Sequence, residues 1–317
     1  MNTSAKNFQE IHRTVLLDEA IEYLNVRNEG TYLDATLGLG GHAERILSIG
    51  IDVKLQGIDQ DREALKIAEK RLAKFANRVG TAHANFSELG KIVNERGISG
   101  LDGILADLGA SSLQMDSETR GFSFRFDAAL DMRMNPDSDS ETAADLLKRL
   151  SEKEIADLIY LNGEERFSRR IAKRIVEARR SGKHIETTKQ LAKLVEQAIP
   201  GKRDRIHPAT KTFQALRIAV NNELAIIKDF LKTGVKLLNP GGRIVVITFH
   251  SLEDRIVKHT FQKLSGKCEC PPRLPRCVCG AKKQLDILTK KPIAPNDAEL
   301  DLNPRARSAK LRAAEKI

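Results

Sequence analysis

Acidic residues and glycines lie close together in one short stretch of the N-terminal half, in a pattern suited to holding a nucleoside-like ligand. Asp34 lies four residues before Gly38, and Gly40 and Gly41 follow within the run DATLGLGG. Glycines let the backbone turn sharply and approach a ligand closely. Asp59 lies about twenty residues beyond the glycines, where a carboxylate can accept both hydroxyls of a ribose. The stretch therefore predicts an enzyme with a nucleotide-like cofactor.

Two classes of cofactor use a glycine turn of this kind. A dinucleotide fingerprint can be laid over Gly38, Gly40 and Ala43, which would indicate a nicotinamide or flavin enzyme. Asp34 favours adenosylmethionine instead, because a carboxylate beside the turn suits the positively charged methionine end of that cofactor and opposes a pyrophosphate. A glycine-rich turn is a weak signal by itself, so a purely structural turn is a third alternative.

The elements that must hold these residues alternate between strand and helix up to about residue 110. Buried apolar runs predict strands, and runs with helical spacing predict helices. The strands are 32–35, 54–58, 80–84 and 101–108, and the helices are 42–49 and 62–75. Asp59 and Asp107 then end buried strands at the open edge of an α/β sheet, where ligands bind.

The alternation stops near residue 112 and resumes near residue 212. A polar loop with phenylalanines comes first, and helical segments follow at 142–150, 152–161, 167–180 and 188–198. A long amphipathic run (213–238), an N-P-G-G turn and an apolar strand (243–249) come next, an order typical of the later half of a methyltransferase sheet. It favours adenosylmethionine over a dinucleotide. We expect an α/β protein whose class I (Rossmann-like) methyltransferase core, with a largely parallel sheet, is formed by 1–112 and 212–317 and interrupted by an all-helical inserted domain at 113–211.

The chain carries a formal net charge of +10, and the excess is concentrated in two segments. Residues 166–183 hold eight Lys and Arg against a single Glu, and the part from Arg255 onward holds fifteen against six acidic residues. This favours a polyanionic partner such as nucleic acid, although basic helix faces are often plain solvated surface. The polar start MNTSAKNFQE, with no run of eighteen apolar residues in the chain, predicts a cytoplasmic protein without a membrane partner.

All four cysteines fall within the segment CECPPRLPRCVCG, as Cys268, Cys270, Cys277 and Cys279. Two C-x-C pairs could gather four thiolates around zinc, yet structural zinc sites usually separate the cysteines of a pair by two to four residues. Disulfides are disfavoured inside cells. The sequence alone assigns no metal and leaves two alternatives, a metal site or reduced thiols on a proline-rich loop.

Several separated segments together resemble the bacterial MraW/RsmH family over nearly the whole chain. They are HRTVLLDEAIEYL, DATLGLGGHAERIL, GIDQD, ILADLGASSLQM, GFSFR, FQALRIAVNNEL, ITFHSLEDRIVK and NPRARSAKLRAAEK. The resemblance implies an S-adenosyl-L-methionine-dependent rRNA (cytosine-N4) methyltransferase that acts on the exocyclic N4 of a cytosine in the decoding region of 16S ribosomal RNA. It implies 16S RNA or the small ribosomal subunit as the partner, and the charge of the inserted helices and of the basic C-terminal tail leads us to expect that both bind this RNA. It leaves open whether the chain forms a homodimer.

The resemblance also assigns residues to the cofactor. The binding positions it implies are Gly40, Gly41, His42, Asp59, Phe86, Asp107 and Gln114, which join Asp34, already chosen from its place beside the turn. The two glycines and His42 would face the methionine part, Asp59 the ribose and Phe86 the adenine. Asp107 and Gln114 would lie next to the transferable methyl group. Phe86 could instead be a core aromatic, and Gln114 could simply cap a helix.

Two residues are candidates for catalysis, Asp107 and His250. The N4 amine of cytosine is a poor nucleophile because its lone pair is delocalised, so Asp107 would align it and accept its N–H hydrogens. His250 would orient the base or handle a proton, although a histidine at a strand end more often satisfies a backbone group. The target base must leave its stack, so an aromatic slot is expected. Its candidates are Phe122, Phe124, Phe126 and Phe249.

Overall fold

The computed structural model describes residues 13–200, 207–268, 270 and 278–317. The chain divides into two compact units. The sheet unit combines Met1–Gly109 with Leu224–Ile317, and the helical unit is Ala110–Glu223. Within the described residues, no helix combines the length and the apolar character needed to cross a bilayer.

A seven-stranded sheet forms the centre of the sheet unit. In chain order its strands are β1 (Thr31–Asp34), β2 (Lys54–Asp59), β3 (Val79–His83), β4 (Leu101–Asp107), β5 (Leu238–Thr248), β6 (Leu285–Ile287) and β7 (Lys310–Lys316). They lie side by side in the order β3-β2-β1-β4-β5-β7-β6. The first five are parallel, and β7 runs antiparallel to both of its neighbours. The expected α/β class and largely parallel sheet are confirmed.

Helices account for most of the remaining described residues. In chain order they are α1 (Leu17–Leu24), α2 (Gly41–Leu47), α3 (Arg62–Leu72), α4 (Leu89–Glu95), α5 (Ser112–Asp116), α6 (Ala143–Arg149), α7 (Glu152–Gly163), α8 (Ser168–Arg180), α9 (Thr188–Ala198), α10 (Thr210–Asn221), α11 (Glu223–Leu237), α12 (Ser251–Leu264) and α13 (Asp297–Leu302). Of these, α5 to α10 lie in the helical unit.

The strands at the centre of the sheet are buried on both faces. Successive side chains of β4 point to opposite faces, so Ile104 joins one apolar cluster and Leu105 joins the other. Val246 and Val245 of β5 divide between the same two clusters. Strands covered on both faces form continuous apolar runs in the sequence, which is why these two could be recognised there.

The C-terminal residues form part of the sheet, and two cations of the segment that was expected to bind RNA make contacts within the fold. β7 lies between β5 and β6. Arg312 is buried, and its Nε lies 2.6 Å from Asp254 Oδ1. Lys316 Nζ donates to the carbonyl oxygens of Lys236 and Leu238. These two cations therefore stabilise the fold.

The N-P-G-G turn lies within the bounds of β5 as an irregularity. Leu101 of β4 pairs with Leu238, and the next pair joins Gly103 to Arg243, so β5 contains extra residues between the two. Gly241 has a φ of 76°, a left-handed conformation that glycine adopts without strain. The parallel pairing then continues to Asp107 and Ile247.

The helical unit extends further than the sequence predicted, since it covers 110–223 where 113–211 was expected. The reason is that α10 packs inside this unit. A Cβ added to Gly163 of α7 would lie 2.5 Å from the Lys211 carbonyl oxygen, so the two helices approach closely. Phe213 belongs to the same apolar cluster as Ile155. The long run predicted at 213–238 is broken at Asn222, which has a φ of 51°.

Candidate active site

An acidic side chain lies at or just beyond the end of each of four neighbouring strands. β2 ends at Asp59, β1 at Asp34 and β4 at Asp107, and β5 leads into the first turn of α12, which contains Glu253. These strands are adjacent and parallel, so their carboxyl ends share one edge of the sheet. The strand order reverses between β1 and β4, the position where open α/β sheets bind ligands. The topology therefore gathers four carboxyl groups at the expected ligand edge.

Asp34 is a buried carboxyl with only 1% of its surface exposed. Its Oδ1 accepts a hydrogen bond from Thr36 N at 3.1 Å. Burial raises the pKa of Asp34 to about 7, the hydrogen bond from Thr36 opposes this rise, and the charge of Asp59 adds to it. A cation placed beside this group would favour its ionised form.

Asp107 is linked to the same turn through its backbone, because Asp107 N donates to Thr36 Oγ1 at 2.6 Å. Its Oδ1 is buried and has no hydrogen-bond partner among the described residues. Burial raises the pKa of Asp107 well above its usual value, and the charges of Asp34 and Glu253 raise it further. Leaving a buried polar atom without a partner costs about 1–3 kcal/mol. A positively charged ligand or an N–H donor at this position would remove that cost.

Asp59 ties the glycine turn to the start of α3. Its Oδ2 accepts from Gly38 N at 2.7 Å, and its Oδ1 accepts from Asp61 N at 2.8 Å. Burial raises the pKa of Asp59 to about 6, while these N–H donors and that of Gln60 act against the rise. Each carboxylate oxygen has a second lone pair, so hydroxyls of a ribose can still be accepted.

Backbone conformation and close packing also explain why glycines occupy the turn after β1. Gly40 has a φ of 80°, which favours glycine. A Cβ added to Gly41 would lie 2.0 Å from Thr14 Oγ1, so only a residue without a side chain lets Thr14 pack this close to the turn. His42 is buried in the first turn of α2, and its Nε2 lies 3.2 Å from the Val15 carbonyl oxygen. These residues hold the turn in place, and their predicted contact with the methionine part stays a prediction.

Phe86 and Gln114 both show the structural role that the sequence offered as an alternative. The ring of Phe86 is half-buried, and it packs edge-on against Phe230 with the ring centroids 5.2 Å apart. Gln114 lies in the helical unit and caps α5, since its Oε1 accepts from Ser111 N. Neither contact excludes a ligand, so the predicted roles of both residues in cofactor binding stay predictions.

His250 is the N-cap residue of α12. Its Nδ1 accepts from Glu253 N, and Glu253 Oε2 accepts from the backbone N–H groups of Phe249 and His250. Because Nδ1 accepts a hydrogen bond, a neutral ring carries its proton on Nε2, which lies 3.1 Å from Glu253 Oε1. The structure thus gives His250 a backbone-satisfying role, and its catalytic role stays a prediction.

The aromatic candidates differ in what already surrounds them. Phe122 is buried, with 5% of its surface exposed. Phe124 is stacked on His207 with the ring centroids 4.3 Å apart, and it packs edge-on against Phe213. Phe126 is half-buried in the helical unit, and Phe249 is half-buried in the sheet unit at the end of β5. Phe126 and Phe249 are thus partly exposed residues, whereas Phe122 is buried.

A basic face lies on α8 of the helical unit. Its buried side includes Ile171 and Ile175. The exposed side carries the residues that we call the basic face of α8, namely Arg169, Arg170, Lys173 and Arg174. Arg179 of the same segment serves the fold instead, because its Nη1 donates to carbonyl oxygens at the end of α6.

Sequence reasoning missed Thr36 and Glu253. Thr36 lies in the DATLGLGG run, and it joins Asp34 to the backbone of Asp107. Glu253 lies in the TFHSLED run three residues after His250, a spacing that signals a capping box. Both signals are local patterns, and only the pairing of β1, β4 and β5 shows that they meet at one site.

The doubly wound sheet, the glycine turn after β1 and the row of buried carboxyls define an adenosylmethionine-dependent class I methyltransferase. The chain belongs to the MraW methylase family, whose model matches residues 9–317. A relative from Geobacter sulfurreducens, named ribosomal RNA small subunit methyltransferase H, is 53% identical over 96% of this chain and 99% of its own length. The protein of the same name from Oleidesulfovibrio alaskensis is 51% identical, covering 96% and 95%.

Solved structures give a more distant likeness. A putative rRNA methylase from Clostridium thermocellum aligns with a TM-score of 0.45 at 12% identity, over 96% of this chain and 100% of the other. A putative methyltransferase from Streptococcus mutans, solved in complex with SAH, aligns with a TM-score of 0.44 at 10% identity, over 96% and 100% of the two chains.

Proposed function

We propose that this protein transfers a methyl group to the exocyclic N4 amine of a cytosine in the decoding region of 16S ribosomal RNA. Its relatives at about half identity are named ribosomal RNA small subunit methyltransferases, which supports ribosomal RNA as the substrate. The observation that carries the chemistry is Asp107. It ends β4 at the ligand edge, and its buried Oδ1 has no hydrogen-bond partner among the described residues.

Residues of the sheet unit would hold the cofactor. When bound, S-adenosylmethionine supplies an electrophilic methyl group carried on a sulfonium. Asp34 would face the positively charged methionine end. Burial and the charge of Asp59 disfavour the ionised form of Asp34, and a neighbouring cation would favour it. Asp59 would accept the ribose hydroxyls, and the half-buried ring of Phe86 would contact the adenine.

Asp107 would act on the substrate amine. Its Oδ1 would accept an N–H hydrogen of N4, which turns the nitrogen lone pair toward the incoming methyl group. As the bond from N4 to carbon forms, the nitrogen becomes positively charged, and the carboxylate stabilises that charge. N4 then releases one proton to Asp107 or to water, so that the product amine is neutral. This role requires the ionised carboxylate.

Phe249 is our candidate for stacking on the target base. It follows β5, the strand beside β4, so it lies in the sheet unit at the same edge as Asp107. Its position is held by the hydrogen bond from Phe249 N to Glu253 Oε2 at 2.8 Å. Stacking of a base on an aromatic ring contributes about 1–3 kcal/mol.

The helical unit would bind the RNA backbone. The basic face of α8 projects four cations into solvent, where they can neutralise phosphates and release counterions. The nearby Glu177 offsets them only weakly, since its contacts with Lys173 and Arg174 are exposed and 3.8–3.9 Å long.

The test is transfer of labelled methyl from adenosylmethionine to small ribosomal subunits from cells that lack this gene, followed by nucleoside analysis of the RNA. We expect N4-methylcytidine with the parent protein and none with Asp107→Asn, while Asp52→Asn, the same change at an exposed loop position, leaves the yield unchanged. A methyl group on another base would refute the cytosine-N4 assignment. No transfer to subunits or to naked ribosomal RNA, despite measurable cofactor binding, would refute the ribosomal substrate.

A further inference from the structure

The cysteine-containing segment between α12 and β6 brings three thiol groups together. The Sγ atoms of Cys268, Cys270 and Cys279 all lie within 4.8 Å of one another. Those of Cys268 and Cys279 are 3.7 Å apart. Zinc bound by thiolates has metal–sulfur bonds of about 2.3 Å, so two sulfurs of a tetrahedral site lie about 3.8 Å apart. The described sulfur positions are therefore close to those of a metal site.

The backbone around these sulfurs supports negative charge on them. Cys270 N donates to Cys268 Sγ at 3.4 Å, and Val278 N donates to Cys270 Sγ at 3.3 Å. Hydrogen bonds from N–H groups to an anionic ligand atom stabilise it and orient it toward the metal. Two of the three sulfurs thus accept a backbone hydrogen bond that would orient them toward a metal ion.

The two ends of the cysteine-containing segment are held together by backbone pairing. Ser265 and Lys283 form an antiparallel bridge, and Gln284 N donates to the Leu264 carbonyl oxygen at 2.8 Å. The chain therefore leaves α12 and returns to β6 at one place, and the entropy of bringing its two ends together is already spent. A metal ion bound by Cys268, Cys270 and Cys279 therefore does not have to bring these two ends together.

We propose that Cys268, Cys270 and Cys279 bind a thiophilic divalent cation, Zn²⁺, as a structural site outside the catalytic edge of the sheet. Binding replaces the three thiol protons, which pass to the solvent, so the metal affinity rises with pH. A tetrahedral ion takes a fourth donor. Cys277 lies outside the described residues, and the proposal does not depend on it.

A disulfide is the competing use of these thiols. It would join two sulfurs at about 2.05 Å and leave the third without a role. The distance of 3.7 Å between Cys268 and Cys279 is nonbonded, and all three sulfurs converge. A single ion accounts for the whole cluster, which is why we favour it.

The experiment uses the full chain without an affinity tag, purified without chelator. We expect about one zinc per chain by elemental analysis, and we expect Co²⁺ added to the metal-free protein to give the thiolate charge-transfer absorption of a tetrahedral site. Cys268→Ser, Cys270→Ser and Cys279→Ser should each lower the Co²⁺ affinity about tenfold or more. Val278→Ser is the matched control, because it places a hydroxyl in the same segment and keeps the backbone N–H that bonds Cys270.

Three results would overturn the proposal. One is metal-free protein that gives no charge-transfer band with Co²⁺. Another is a band that persists at full strength in all three serine variants, which would mean that the metal binds elsewhere. The third is a count of reactive thiols in the denatured, unreduced protein that shows a disulfide among these residues. None of these readouts depends on methyl transfer, so they are independent of the proposed function.

Discussion

Replacing Asp34 with Asn should make the ligand-free protein more stable and should weaken cofactor binding at the same time. Asp34 is buried, and its Oδ1 accepts a hydrogen bond from Thr36 N. The amide oxygen of Asn can accept the same hydrogen bond. Because the amide is neutral, neither burial nor the charge of Asp59 destabilises it as they destabilise the carboxylate. The carboxylate is unfavourable for the empty fold and favourable for a cationic ligand, so stability and binding should change in opposite directions.

The magnitude follows from the pKa of Asp34, which is raised from 3.8 to about 7. The folded protein holds this proton more tightly than the unfolded chain does. The free energy of unfolding therefore decreases as the pH rises from about 4 to about 7, and it levels off above that range. One pKa unit corresponds to about 1.4 kcal/mol. The stabilisation by Asp34→Asn should thus be about 2.5 kcal/mol larger at about pH 8 than at about pH 5.

Urea unfolding of ligand-free protein, followed by far-ultraviolet circular dichroism at both pH values, measures this difference. Calorimetric titration with adenosylmethionine measures the second effect. The affinity of the parent protein should fall about tenfold for each pH unit below about 7, because the cation requires the ionised carboxylate, and Asp34→Asn should lose this part of the pH dependence. Asp52→Asn is the control, since Asp52 is exposed in the same unit and neither quantity should change.

Two outcomes would contradict this prediction. In the first, Asp34→Asn is no more stable than the parent at about pH 8. In the second, the variant binds adenosylmethionine as tightly as the parent across the same pH range. The first outcome would mean that the buried carboxyl is not destabilising, and the second that it does not face the cation.

Three further changes test other parts of the structure. Replacing the four residues of the basic face of α8 with Gln should flatten the dependence of the RNA association constant on salt without affecting cofactor affinity. The slope of its logarithm against log salt should fall by about 0.7–0.9 for each phosphate that is no longer neutralised. An unchanged slope would mean that the face is plain solvated surface, and the control replaces the exposed lysines of α7 and α9, Lys153, Lys189 and Lys193. His250→Ala should lose a helix cap and about 1 kcal/mol of stability, whereas His250→Asn should retain the cap, so a drop in kcat in His250→Asn with normal stability would show a catalytic role. Gly41→Ala should lower the free energy of unfolding, measured with denaturant, by about 1–3 kcal/mol because the new Cβ clashes with Thr14. Adding Thr14→Ala should recover most of this loss. If the two substitutions instead lower the stability additively, the clash is not the cause.

The sequence predicted the parallel part of the sheet because its strands carry the signals that burial demands. β4 is a short apolar run that ends at Asp107, and β2 carries Leu55 and Ile58 before it ends at Asp59. α9 was predicted with the bounds that the structure shows, Thr188–Ala198. The helix begins at a Thr–Gln capping box and follows one apolar stripe, so the local signals agree with the tertiary packing. Elements of this kind can be predicted without knowledge of their neighbours.

β7 could not be predicted in the same way. Its sequence KLRAAEK contains residues that favour helices, and Arg312 lies where an apolar residue would be expected. It is a strand because β5 and β6 pair with it and because Asp254 neutralises the buried arginine. The site was predicted only residue by residue for a related reason. Asp34 and Asp107 could be chosen from the sequence, but the hydrogen bonds through Thr36 arise from strand pairing.

The helical unit also sets the time at which the sheet unit can form. Leu101 of β4 pairs with Leu238 of β5, so 137 positions of chain separate two neighbouring strands. At about 5–20 residues per second, a ribosome takes roughly 7–27 s to make that interval. During this time β4 is present with an open, apolar edge, and β5 in turn waits for β7, whose Lys310 pairs with Thr248. The nascent protein is thus exposed to aggregation for longer than its size alone would require, and its synthesis should depend on chaperones that shield strand edges.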